Sequence, residues 1–283
     1  MPPRILMCPP DHYGIEYEIN PWMKRSQGAD RELAAVQWTT LRDTLVSLGV
    51  TVELLTPAAG LPDLVFTANA GLIFGNTFLS SRFKHEVRAK ESPVFDEWFR
   101  AHGFDVRHLP EDNYHEGAGD ALFCGETLFA GYRTRSDAQS HQWVADQLGV
   151  RVLPLELVNP RFYHLDTCFC PLALGEAIYF PDAFDTYGRR VLETHVPKLH
   201  AVPEADAFRF GCNAVVVGKT VVHNSGCPGI AEVLTNAGYT SVEVTLDEFL
   251  KAGGSAKCLT LRLDGEEAAG WKKASPGVPP WPE

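Results

Sequence analysis

The chain of 283 residues is 45% hydrophobic and 22% charged, the composition of a globular protein with a sizeable core. Its formal net charge of −11 argues against a phosphate backbone as partner and suits a small cation bound in an acidic pocket. No apolar run approaches membrane-spanning length and the opening MPPRILMCPP lacks a signal-peptide core, so the expectation is a cytoplasmic protein, partnered by neither nucleic acid nor membrane, with homo-oligomerisation open.

Arg4 to Cys8 reads as a first strand, stopped by Pro9-Pro10. A polar loop with an Asn20-Pro21 turn leads to Asp30, which is placed to cap a helix reaching about Leu48. Gly49 ends it, and Val50 to Leu55 is a strand. A unit then recurs: two apolar runs around a glycine turn, at Gly75, Gly125, Gly175 and Gly218, in steps of 50, 50 and 43. A turn opening on glycine between alternating apolar runs predicts a hairpin. Helices follow near Val94–His102, Ser136–Leu148 and Gly229–Ala237, with further strands from Asp105, Arg151 and Thr240. The run Cys258–Leu263 lacks a partner and so does Arg4–Cys8, and pairing them closes five units into a ring. This predicts one α/β propeller domain over residues 1–265 and a loosely docked, Pro-rich tail over 266–283. The seven cysteines form no CxxC pair, which argues against a disulfide framework or structural zinc.

The polar residues that enter the hairpins should converge on the ring axis. They are Asp63 and Asn69, Glu116 and Asp120, His164 and Asp166, and Cys258. Singly, each has an ordinary reading: turn and cap residues for the aspartates, a solvated loop charge for Glu116, a structural histidine, a small buried thiol. Together, a thiol, a histidine and several carboxylates suit covalent catalysis on a cation. Lys257 could favour the thiolate of Cys258. Arg82, Arg88, Arg133 and Arg135 follow the first two hairpins, and an α-amino acid substrate would need one or two of them for its carboxylate. His85 and His115 lie close enough to the motif loops to line a pocket.

At these residues the chain resembles the guanidine-modifying enzyme superfamily of five-fold α/β-propellers. That superfamily includes arginine deiminases, dimethylarginine dimethylaminohydrolases, amidinotransferases and dihydrolases, and the resemblance is nearest to the arginine dihydrolase domain fused to ornithine cyclodeaminase in cyanobacteria. The matching stretches are MCPPDHY, INPWM, PDLVFTANAGL, EGAGDALF, FYHLDTCFCPL and EFLKAGGSAKCLTLR, spread over roughly residues 4 to 264. The resemblance implies Cys258 as nucleophile, His164 as general acid and base with Glu116 its partner, and Asp166 on the guanidinium. It implies Asp63 at the substrate's amino end, Arg88 and Arg135 at its carboxylate, and Asn20 in a shared motif. The pair Gly253-Gly254 would let the reacting carbon approach the sulfur.

One departure from the deiminases stands out: they carry aspartate where this chain has Asn69. Asparagine can hydrogen-bond a charged guanidinium or a neutral ureido group, so citrulline could stay for a second attack. The implied reaction is L-arginine to ornithine, carbon dioxide and two ammonia, with no metal or organic cofactor. Single hydrolysis of arginine or of a methylated arginine, amidino transfer, and a non-catalytic scaffold are the alternatives.

Overall fold

The computed structural model describes residues 2–110 and 112–273. Strand β1 (Arg4–Met7) leads through a polar loop to helix α1 (Arg31–Ser47) and on to β2 (Thr51–Leu54). Asp30 caps α1, accepting a hydrogen bond from the Leu33 amide at 3.0 Å. The helix buries Ala34, Trp38, Leu41 and Leu45, three or four residues apart and therefore on one face.

Four more units follow. They are β3 (Gly71–Phe74), β4 (Thr77–Ser80), α2 (Glu91–Ala101) and β5 (Asp105–His108), then β6 (Ala121–Cys124), β7 (Thr127–Tyr132), α3 (Ala138–Leu148) and β8 (Arg151–Glu156). The third is β9 (Phe169–Ala173), β10 (Glu176–Tyr179), α4 (Thr186–His195) and β11 (Lys198–Ala201), and the fourth is β12 (Val215–Val217), β13 (Thr220–Asn224), α5 (Pro228–Asn236) and β14 (Thr240–Val244). In each, two antiparallel strands are followed by a helical crossover to a third strand parallel to the second. The hairpin glycines 75, 125, 175 and 218 all take positive φ, 58° to 71°, as the tight turns require.

Short β15 (Leu261–Arg262) pairs antiparallel with β1, and β1 pairs parallel with β2 across α1. This last sheet repeats the others with its chain interrupted between first and second strands. Five three-stranded sheets among the described residues make a five-bladed α/β propeller, as expected. Its blades are graded from axis to rim. The first strands are almost entirely buried, whereas β2, β5 and β11 share one pattern of exposed ends and half-buried middles. Charged and polar residues on these rim strands (Glu53, Arg107, Lys198) keep the open edges soluble.

Three expectations need correction. The unit built on Gly175 has a helix and third strand, α4 and β11, which the pattern had not revealed. Cys258 does not open a strand; it lies in a turn, and β15 begins at Leu261. Residues 266–273 are not loosely docked: Ala268 and Ala269 are buried, Gly125 donates to Ala268 O at 2.7 Å, and Trp271 packs on Phe74 with ring centroids 5.2 Å apart. The rest of the expected tail, 274–283, lies outside the described residues.

Candidate active site

Each blade delivers polar side chains from the turn just before its first strand. One-turn helices at Thr67–Ala70, Gly117–Gly119 and Leu165–Thr167 carry or adjoin Asn69, Glu116, His164 and Asp166. Asn213 precedes β12, and Cys258 precedes β15. A second set comes from the segments after each second strand: Asn20 after β1, Arg88 after β4 and Arg135 after β7. The equivalence of the blades is what brings residues from 20 to 258 together. Glycine makes the approach possible at Gly119, where a Cβ would run into Nδ2 of Asn69 and lie 3.5 Å from the His164 ring.

These residues surround a small cavity lined by Cys258, Asn69, Asp63, Arg88, Arg135 and Asn20, with Met23, Phe66, Tyr163 and Ala252. The Cys258 side chain is 2% exposed. Its Sγ donates to Asp166 Oδ2 at 3.5 Å and accepts from Asn213 Nδ2 at 3.1 Å. Burial, and then the charge of Asp166, push the thiol well above its usual range. Burial also pushes the Asp166 carboxyl up, to about 7, against the pull of the Lys257 ammonium.

Behind the cavity wall, His164 Nε2 lies 2.7 Å from Glu116 Oε2, which also accepts from Arg135 Nη1 at 2.9 Å. Burial alone would raise the Glu116 carboxyl; Arg135 and His164 outweigh it and hold it well below the carboxylate range. Glu116 is therefore a permanent anion fixed against the imidazole. At the other end, Arg88 is bound by Glu91 at 2.7 Å, faces Asp63 at 3.7 Å and donates to Asn69 Oδ1 at 3.1 Å. Burial raises the Asp63 carboxyl, with Arg88 opposing. Asn69 Nδ2 points to Glu116 O at 3.4 Å and His164 Nδ1 at 3.5 Å, so this one amide links both ends of the site.

Three buried charged atoms around the cavity have no hydrogen-bond partner among the described residues: Asp63 Oδ1, Asp166 Oδ1 and Arg135 Nε. The Tyr17 hydroxyl faces Asp63 without closing a hydrogen bond to it. A buried group left unpaired costs stability, so such atoms mark places prepared for a ligand. Two acceptors and one donor describe a molecule with two positive ends and one negative.

Of the ten site residues expected from sequence, nine are gathered around or directly behind the cavity. Asp120 is not: its oxygens accept from Ser136 Oγ at 2.6 Å and Leu165 N at 3.1 Å, so it braces two loops rather than facing a substrate. His115 is buried and its ring nitrogens lack partners among the described residues, but it does not line the cavity, and neither does His85. Lys257 pairs with Glu266 at 2.9 Å rather than with the thiol. The space glycine leaves at 253 and 254 is taken by the rings of Tyr163 and Phe66, not left open toward the sulfur. Sequence reasoning missed Asn213, Tyr163, Ser136 and Glu91. Asn213 stands five residues before its turn glycine, the same interval as Asp120 before Gly125, a signal that was available.

A family profile described as N,N dimethylarginine dimethylhydrolase, eukaryotic, matches residues 13–264. The chain belongs to the dimethylarginine dimethylaminohydrolase family. Within that family's range it is 42% identical over 260 residues to the N(G),N(G)-dimethylarginine dimethylaminohydrolase of Mycobacterium tuberculosis, covering 92% of this chain and 85% of that one. It is 49% identical over 265 residues to the bifunctional arginine dihydrolase/ornithine cyclodeaminase AgrE of Nostoc, covering 92% of this chain and 38% of the relative. The chain thus spans well under half the length of that bifunctional relative. Among solved structures, the N-terminal domain of ArgZ, an arginine dihydrolase from the ornithine-ammonia cycle in cyanobacteria crystallised with its substrate, superposes with a TM-score of 0.90 at 48% identity, covering 94% and 99% of the two chains. A dimethylarginine dimethylaminohydrolase at 21% identity, with a TM-score of 0.79, shares the propeller fold.

Proposed function

We propose that the protein hydrolyses L-arginine to ornithine, carbon dioxide and two ammonia through a covalent cysteine intermediate. The observation that carries this reading is the set of unpaired charged atoms around the cavity. Asp166 Oδ1 would take a guanidinium beside the sulfur, while Asp63 Oδ1 and Arg135 Nε would take the ammonium and carboxylate of an α-amino acid. Arg88 commits all three of its nitrogens, to Glu91, Asn69 and the Asp63 carbonyl, whereas Arg135, paired with Glu116 through Nη1, keeps Nε unpaired among the described residues. The likeness to the Nostoc and ArgZ dihydrolases supports the choice of arginine.

In this mechanism the arriving cation favours loss of the Cys258 proton, which the empty site disfavours. Sγ attacks the guanidinium carbon, and His164, steadied by anionic Glu116, protonates the departing ammonia. Water, deprotonated by His164, then displaces the sulfur and gives bound citrulline. A second attack expels the second ammonia, and a second water releases carbon dioxide and ornithine. Asn69 bears on whether citrulline stays. Its amide presents both a donor and an acceptor at the cavity, whereas an aspartate there would place a third carboxylate near Arg88 and repel the ureido oxygen.

The test counts ammonia per arginine consumed. Two ammonia with ornithine as product is the expected result; one ammonia with accumulating citrulline would show a deiminase, and dimethylarginine consumed with arginine untouched would show a methylarginine hydrolase. In the same assay Asn69→Asp should release citrulline, and an unchanged product would refute the role given to Asn69.

A further inference from the structure

Asn213 lies at the back of the site, fully buried, and its side-chain amide is saturated. Oδ1 accepts from the backbone amides of Ser255 at 3.1 Å and Cys258 at 3.0 Å. Nδ2 donates to Asp166 O at 3.1 Å and to Cys258 Sγ at 3.1 Å. The Lys257 amide donates to the backbone carbonyl of Asn213 at 3.1 Å, so the nucleophile's turn is tied to this residue on both sides. The amide cannot flip. Exchanging O and N would set two donors against two backbone N–H groups and a lone pair against a carbonyl. The donor that meets the sulfur is therefore fixed by three other hydrogen bonds.

The sulfur has two polar side-chain neighbours of opposite character. Asp166 Oδ2 accepts the thiol proton and stabilises S–H, whereas Asn213 Nδ2 can only donate and so stabilises S⁻. Among the described residues Asn213 is the one side chain that donates to Sγ. We propose that Asn213 positions Cys258 and stabilises its thiolate, acting as the hydrogen-bond donor that holds the charged sulfur once the proton has gone. The inference deepens the covalent-cysteine reading and rests on Cys258 being the nucleophile. Asparagine is the side chain suited to the place, because a carboxylate would repel the anion and a hydroxyl could not reach all four partners.

The decisive measurement needs no substrate. The protein is treated with iodoacetamide over a series of pH values, and alkylation of the Cys258 peptide is followed by mass spectrometry. Asn213→Ala is expected to move the alkylation midpoint up by about one pH unit, slowing alkylation about tenfold below the midpoint. Asn213→Asp should move it further, and Asp166→Asn should move it down. A midpoint unchanged in folded Asn213→Ala, or one that moves down, would overturn the proposal and leave Asn213 a packing residue. If circular dichroism shows Asn213→Ala unfolded, Asn213→Asp, which keeps the shape and both Oδ1 bonds, decides by the same criterion. With arginine, the expected loss is in kcat with KM within about twofold. If arginine is not turned over while the alkylation midpoints move as stated, the substrate assignment fails and the role of Asn213 stands.

Discussion

At the scale of single residues, the site is governed by how few cations share a pocket of buried acids. Asp63, Glu91 and Glu116 lie against Arg88 and Arg135 while Asp166 lies against the thiol, and the two of these acids that keep an oxygen unpaired among the described residues, Asp63 and Asp166, both have carboxyls that burial raises. Burial pushes the Asp166 carboxyl up to about 7, and only its anion can hold a guanidinium. The value of kcat/KM for arginine should therefore fall about tenfold per pH unit below about 7. Asp166→Asn should lose roughly a hundredfold in kcat/KM and flatten that acid limb; a limb that survives the substitution would assign it to another group. The thiol, histidine and carboxylates of this site were legible in sequence because each stands before an apolar strand in a repeated unit. Asn213 stands there too, but a short amide before a valine run reads as an ordinary turn residue, and its partners lie 42 to 47 positions away, beyond the reach of local spacing.

At the scale of elements, the turns before the inner strands supply the chemistry and the segments around them hold it rigid. The turn carrying Cys258 is braced from outside by Glu266, whose carboxylate pairs with buried Lys257. Glu266→Gln would leave an ammonium buried without its anion. The expected cost is about 3 kcal/mol, reduced somewhat because the Glu266 side chain is 24% exposed. Urea unfolding measures it, and a change within about 0.5 kcal/mol would show that the pair is not structurally important. The hairpins were plain in the sequence because a turn with positive φ selects glycine. Helix α4 was not, because its ten residues bury only Gly188 and Leu192 and carry two arginines, so no apolar stripe announces it. Strand β15 was overestimated because Ala256, Cys258 and Leu259 are buried in a turn, and burial alone does not distinguish a buried turn from a buried strand.

For the whole molecule, buried histidines outside the cavity link folding to pH. His115 and His141 lie close together, and burial lowers them to about 3 and about 4 from an ordinary 6.5. The unfolded chain takes up protons there below 6.5 while the native state does not, so their contribution is complete above that value and is lost as pH falls toward 4. Raised carboxyls act in the opposite sense. Asp166 at about 7 and Asp120 at about 6 keep protons in the native state that the unfolded chain releases above about 4, so their contribution is lost as pH rises through 6 to 7. A difference measurement separates the two. The double variant His115→Gln, His141→Gln should be less stable than the parent at pH 7.5, and the gap in Tm should shrink steadily toward pH 4.5. The underlying change is about 1.4 kcal/mol per pH unit for each histidine. A gap independent of pH would show that neither histidine is held neutral by the fold.

The pairing of β15 with β1 also sets an order of events. Arg4 N–H meets Asp264 across a sequence separation of 260 residues, and the last blade cannot form before both ends of the sheet exist. Cys258 sits on the late side of that junction, after every other residue of the site from Asn20 to Asn213. As the chain leaves the ribosome, the acids, the histidine and the arginines can all be made while Cys258, the proposed nucleophile, is not. On the mechanism proposed above, the sulfur therefore gains its partners Asn213 and Asp166 only when the turn before β15 is folded, together with closure of the ring.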